Sequence, residues 1–481
     1  MISMLKFVDR QSELDDLTRS HEAPGFSFTV IYGRRRVGKT ELVRQFVRDR
    51  TAIYYQCDRR GTAANVLSLR RIAASHFEDM EPAAESLEDL FSYIVAKAPS
   101  NDKLVVAIDE FPYLIEQDKS VTSQLQKIID TVLVKCDIHL ILLGSSIGMM
   151  KDHVLNGGSP LYGRRTTQVE VRPFEMKQVV EFFPSMDATS LVETYGVFGG
   201  MPFYLQFVDP DRPLYENLMA TVLNKAHVLY SEGEFLLREE LPQASTYLRV
   251  LEAIARGATR VSEIASKVGL NASDLPHYLE RLQKLELIRK TQPVLAHGKS
   301  ARKSLYHIAD HFLRFWLRYV LPNVSLLEYR NPDPVVREIK ESLQSFLGLT
   351  FEAVTREYLY HLNRDGRLPF KFRVLGRQWG RIPGRPRGEN QYEIDHIAYD
   401  QRGKSILIAE AKWQDNVDPV GMENRMEELL QAVPALREWK SIHLIGFARS
   451  FRKRRSSTKM NQIDIKDIVS DYRSSGSGNR K

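Results

Sequence analysis

The stretch that most limits how this chain can fold is GRRRVGKT, residues 33–40. It follows a short apolar, β-branched run, FSFTVIY, and precedes TELVRQFVRD, whose apolar residues recur at helical spacing. A G-x-x-x-x-G-K-[ST] loop set between strand and helix curls its backbone N–H groups around phosphates, with the helix N-terminus behind them. Gly33 and Gly38 allow the bend, Lys39 neutralises phosphate charge and Thr40 is placed to ligate Mg²⁺; Arg36, Val37 and Glu41 complete the loop's binding set. The side chains of Arg34, Arg35 and Arg36 point mostly away from the phosphates, toward acids of a neighbouring element or a partner surface.

A second apolar run, KLVVAIDEF, delivers two carboxylates. Asp109 suits the Mg²⁺ shell and Glu110 suits polarising the attacking water. Consecutive strand residues face opposite ways, so Glu110 must lie at the strand end, where the chain turns. A third run, HLILLGSS, ends in Ser145, placed to sense the γ-phosphate, and SPLYGRRT offers Arg164 and Arg165 as finger-type arginines acting in cis or in trans. Together with AIYYQC these runs are apolar enough to be buried on both faces, the pattern of a parallel, doubly wound α/β sheet.

The chain has 481 residues, more than one ordinary core can organise, and 43% hydrophobic content fills several. Its two cysteines, Cys57 and Cys136, exclude a disulfide framework. MISMLKFVDR lacks a signal-peptide run and no stretch of about 18 apolar residues occurs, so a soluble, cytoplasmic protein without membrane contact is expected. The net charge of +7 is clustered: residues 281–320 hold nine Lys/Arg against two acids, and further basic runs occupy 371–389 and 449–459. Clusters of this kind suit a phosphate backbone, with no sequence preference legible.

After residue 210 the text turns helical. TYLRVLEAIARG, RVSEIASKVGL and SDLPHYLERLQKLELI, followed by a strand, a basic loop and a strand, give the winged-helix order. His277, Arg281 and Lys284 share a side of the third helix, and Lys299, Arg302 and Lys303 lie in the loop; these six are the candidate DNA contacts. PNVSLLEYRNPDP, with three prolines, reads as a linker, and RSSGSGNRK as an unstructured end. Between them, Asp395 on YEIDHIAYD stands across a turn from Glu410 and Lys412, which share one face of SILIAEAKW, while Glu352 lies on the preceding helix. Carboxylates converging there would bind Mg²⁺, or alternatively Mn²⁺, to activate water, with the lysine positioning that water or neutralising charge on a scissile phosphate.

FVDRQSELDDL, YGRRRVGKTEL, VVAIDEFPYL, ILLGSSIGMM, SPLYGRRT and FGGMPFYL together resemble the archaeal ATPase family, a branch of the AAA+/STAND P-loop ATPases. The resemblance implies that Glu13 belongs to a box beside the nucleotide, that Ser145 is the sensor position, and that Pro202 closes the Gly-x-Pro turn near the adenine. The C-terminal motif resembles the PD-(D/E)xK nucleases, with Ile394 where that motif has proline. The expected organisation is a P-loop ATPase domain (1–210), a helical lid (211–245), a winged helix (246–325), a linker (326–340), a restriction-endonuclease-like α/β domain (341–470) and a tail (471–481). The expected function is ATP-controlled DNA binding with Mg²⁺-dependent cleavage. A STAND-type switch with an inactive C-terminal module, and a DNA-dependent motor without a nuclease step, are the alternatives; oligomerisation stays open.

Overall fold

The computed structural model describes residues 7–241, 244–295, 304–386, 388–454 and 458–477. The chain packs as two compact units, residues 1–173 with 201–203, and residues 174–200 with 204–481.

In the first unit, strands β1 (Ser27–Tyr32), β2 (Ala52–Gln56), β3 (Leu104–Asp109), β4 (Ile138–Gly144) and β5 (Thr167–Glu170) form one all-parallel sheet in the order β2-β3-β4-β1-β5. Every residue of β1, β3 and β4 is buried. That is why these runs read as unbroken apolar text: helices cover both faces, and each fully buried Val, Leu or Ile contributes roughly 1.5–3 kcal/mol. The strand carrying the phosphate loop and the strand carrying Asp109 are separated by β4, so both deliver their C-terminal ends to one edge of the sheet.

In the second unit, helices Ala244–Ala255, Val261–Val268 and Leu275–Lys284 precede an antiparallel pair, β6 (Ile288–Thr291) with β7 (Leu305–Ile308), the winged-helix order. Gly269 ends the second helix in a left-handed turn at φ 74°. The third helix is preceded by Asp274 and carries Pro276 in its first turn. Strands β8 (Val374–Arg381), β9 (Gln391–Asp400), β10 (Ser405–Lys412), β11 (Ser441–Ala448) and β12 (Asn461–Asp464) then form a mixed sheet in simple sequential order. Strand β9 runs antiparallel to β8 and β10, while β10, β11 and β12 are parallel. This is the α/β layer expected of a restriction-endonuclease-like fold.

Three segments differ from expectation. The proline-rich linker is helical: Val324–Glu328 forms one helix and a 32-residue helix begins at Asp333. Pro334 lies in its first turn, where no intrahelical N–H is lost. The final helix, Ile465–Ser477, likewise runs into the serine-rich end. Residues 174–200, adjoining β5 in sequence, are built into the second unit. Met176 N and Tyr195 OH donate to the two carboxylate oxygens of Glu357, at 2.8 and 3.0 Å, and a Cβ on Gly196 would lie 2.4 Å from Leu347 Cδ2.

Candidate functional site

The loop after β1 is shaped by three positive-φ residues: Gly33 at 153°, Arg36 at 68° and Gly38 at 99°. Only glycine fits at 33, because a Cβ would lie 2.2 Å from Val171 O. Gly38 precedes helix Lys39–Val47 without a side-chain cap, which leaves the first N–H groups of that helix available to an anion. Lys39 is buried, and its Nζ donates to the carbonyls of Gly33 and Arg34 at 2.9 and 3.0 Å. The Arg36 guanidinium lies 4.4 Å above the Phe203 ring, directly after Pro202, so this arginine is committed to an aromatic face.

Asp109 is 1% exposed and anchored on both oxygens. Thr40 Oγ1 and Tyr54 OH donate to Oδ2 at 2.7 and 2.6 Å, and the Glu110 N–H donates to Oδ1 at 2.8 Å. Burial and the neighbouring Asp109 carboxylate push the Tyr54 phenol well above its ordinary value, so it stays a donor. Glu110 follows the last residue of β3 in a left-handed conformation, φ 53°, at the turn its position requires. Ser145 Oγ lies 2.9 and 2.6 Å from the two carboxylate oxygens of Glu110; the serine placed to sense phosphate holds the glutamate in this structure.

Arg10 is a contributor that motif reading missed. Its Nη1 pairs with Glu13 at 3.0 Å, and Nη2 donates to Arg172 O at 2.7 Å and Val37 O at 3.3 Å, tying the N-terminal box to the phosphate loop. The signal was the Asp-Arg-Gln step before the first helix. Arg164 grips Asp130 through Nε and Nη2 at 3.0 and 2.9 Å and donates to Pro160 O at 3.0 Å. Arg165 donates to Leu155 O at 3.2 Å and lies 4.6 Å over Tyr162. These contacts hold Arg164 to the helix Val121–Thr131 and Arg165 to its own segment.

On the second sheet, Asp395 of β9 accepts the Ala411 N–H of β10 at 2.9 Å, which sets its carboxylate against the Glu410–Ala411 peptide. The Glu410 side chain is 3% exposed; Lys412 Nζ lies 3.7 Å from Oε2 and Arg425 Nε 3.4 Å from Oε1. Burial raises the Glu410 pKa, opposed by Lys412 and Arg425, and Oε2 has no hydrogen-bond partner among the described residues. Glu352 pairs with Arg377 at 3.2 Å, yet burial, with Asp395 adding, pushes its pKa up to about 7. Arg377, also bonded to Glu393, was invisible to motif reading because it belongs to no motif. Among the described residues no three His, Cys, Asp or Glu side chains stand close enough to hold a metal ion. Asp395 and the undercoordinated Glu410 nevertheless fit a hard divalent cation, while Glu352 is committed to Arg377.

His277 and Lys284 are exposed and Arg281 half-buried on the third helix of the winged helix, opposite the buried Leu275, Leu279 and Leu282. Lys299, Arg302 and Lys303 lie outside the described residues.

Comparison with known proteins sets these sites in a family. An "ATPase domain predominantly from Archaea" matches residues 7–208. The "Bacterial regulatory protein, arsR family" matches 245–290, and "Archaea bacterial proteins of unknown function" matches 316–426. The uncharacterized protein MJECL04 of Methanocaldococcus jannaschii is 39% identical over 86% of this chain and 88% of its own. This chain belongs to the archaeal ATPase family. Among solved structures, the Walker-type ATPase PABY2304 of Pyrococcus abyssi is 24% identical, covering 65% of this chain and 96% of its own, with a TM-score of 0.48. The ORC2 protein of Aeropyrum pernix is 13% identical, covering 67% and 94%, with a TM-score of 0.42. As a member of the archaeal ATPase family the chain is an ATP-binding ATPase with the loop, carboxylates and sheet order described above. No helix of the described residues is long and apolar enough to cross a membrane.

Proposed function

We propose that this ATPase controls DNA bound by its winged helix and cleaves it at the C-terminal carboxylates. The observation that carries the cleavage reading is Glu410: a carboxylate 3% exposed, one oxygen without a hydrogen-bond donor, beside Asp395 and on the same strand face as Lys412. Lys412 and Arg425 stand at ion-pair distance from its two oxygens, yet Oε2 keeps no hydrogen bond, and a divalent cation would supply the missing ligand contact. When bound, Mg²⁺ or Mn²⁺ supplies charge stabilisation and a more acidic water. Asp395 and Glu410 would hold it, and Lys412 would orient the water or balance charge on the phosphate.

At the nucleotide site Lys39 exchanges two carbonyls for phosphate oxygens, while Thr40 and Asp109 are already joined where Mg²⁺ of the nucleotide would sit. Glu110 acts on water once it leaves Ser145, so the serine is part of the switch as well as of phosphate sensing. Arg164 or Arg165 supplies a finger only after leaving its present partner. His277, Arg281 and Lys284 are the DNA contacts on the third helix, with Lys299, Arg302 and Lys303 as further contacts.

A second reading is favoured by Arg377: its charge pairs with Glu352 and Glu393, as in a module that keeps the fold and replaces the metal. Plasmid and single-stranded DNA incubated with Mg²⁺ or Mn²⁺, with and without ATP, separate the two. Cleavage lost in a Glu410→Ala plus Lys412→Ala variant is expected. Equal survival of the DNA with both proteins under every condition leaves the inactive-module switch.

A further inference from the structure

A cleft of about 770 Å³ in the second unit is lined by β6 and β7 of the winged helix, by the long helix Asp333–Arg364, and by β8 and β9. Five cationic side chains face four carboxylates across it. The pairing is uneven. Arg377 takes Glu352 and Glu393, and Glu357 is used by Met176 and Tyr195. Arg289, exposed on β6, and Arg356, half-buried on the long helix, have no hydrogen bond or ion pair among the described residues. Desolvation by the surrounding cleft walls, then the nearby Arg356, lowers the pKa of Arg289 to about 10 although its side chain stays open to solvent, with Glu357 opposing. Arg314, 8% exposed, has an Nε without a partner in the same wall. Glu357 of the same cleft offsets both arginines through space but pairs directly with neither, which leaves their donors open to an anion.

One more lining residue narrows the class. Tyr360 is 50% exposed, with its ring edge-on to Phe372 at 5.7 Å, and so presents an aromatic surface to the cleft. Guanidinium groups beside an open aromatic ring are the pairing that holds single-stranded nucleic acid: charge for the backbone, a ring for a base. Glu352 lines the same cleft, so a backbone seated there passes the C-terminal acids.

We propose that this cleft holds a single nucleic-acid strand, with a phosphodiester on Arg289 and Arg356 and a neighbouring base against Tyr360. The inference rests on the DNA-processing reading, but not on cleavage. It is tested by fluorescence anisotropy of a labelled 12-nucleotide oligothymidylate with the full chain in EDTA. Arg289→Ala plus Arg356→Ala should weaken binding about tenfold or more and lower the slope of log Kd against log salt by about 1.4, two single-strand contacts. Tyr360→Ala should weaken it about fivefold or more at unchanged slope, with Tyr360→Phe retaining affinity. Should the double variant melt early, Arg289→Ala alone, at an exposed position, carries the test with a slope change of about 0.7. Wild-type affinity and slope in a folded variant overturn the proposal. Equally tight binding of thymidine 3′,5′-bisphosphate, lost in the same variants, overturns it in favour of a free nucleotide. Because no divalent metal is present, a chain that binds through the cleft yet never cuts loses only the nuclease reading. A chain that cuts while the arginine variant binds normally loses only this one.

Discussion

Replacing Glu352 by glutamine should stabilise the protein at alkaline pH while removing an acid of the C-terminal site. Burial lifts this carboxyl from its ordinary 4.5 to about 7 in the folded chain, and its side chain is only 19% exposed. A folded pKa above the unfolded one means that folding favours the proton. The stabilising contribution is therefore complete below about pH 4.5 and fades as pH rises through 7. Above that, keeping Glu352 ionised costs about 2.5 pKa units, or about 3 kcal/mol. Glutamine imitates the protonated form and escapes this cost. Urea unfolding in EDTA should thus show Glu352→Gln more stable than wild type by about 3 kcal/mol at pH 8.5 and about equal at pH 4.5. If the variant is less stable than wild type at pH 8.5, the Arg377 pairing outweighs burial and the reasoning fails.

Two further outcomes follow from the ATPase site. Ser145→Ala releases Glu110 from a charge-assisted bond worth about 1.5–3 kcal/mol, so basal ATP turnover should rise by about tenfold with little change in KM; a steep fall in kcat would instead make phosphate sensing the dominant role. Arg164→Ala and Asp130→Ala should each leave turnover within about twofold and lower stability by less than about 1 kcal/mol, the range of an exposed pair. A drop of about 10³ for the arginine alone would instead make Arg164, rather than Arg165, the finger.

The parallel sheet and its loop were legible because backbone geometry dictates their text: glycine where a Cβ strikes Val171, lysine and threonine at the helix start, and acids at the end of a buried strand. The C-terminal acids were legible for a related reason, since SILIAEAKW places charge within an apolar strand. Long-range partners were not. Arg10 reaches Arg172, Tyr54 reaches Asp109 and Arg377 reaches Glu352 through tertiary packing that leaves no periodic trace. The linker misled because proline reads as a breaker unless its place in the first turn is known.

The helices of residues 174–200 bear on how such a protein is assembled and inherited. They fall inside the stretch matched as an ATPase domain, yet they hold Glu357 and close on Leu347 of the helix that carries Glu352. A cut near residue 210 would strip those donors from a buried carboxylate and bare the close packing at Gly196. The two units therefore cannot be exchanged between relatives by one cut near residue 210; a viable graft would have to keep residues 174–200 with the second unit and Met201–Phe203 with the first.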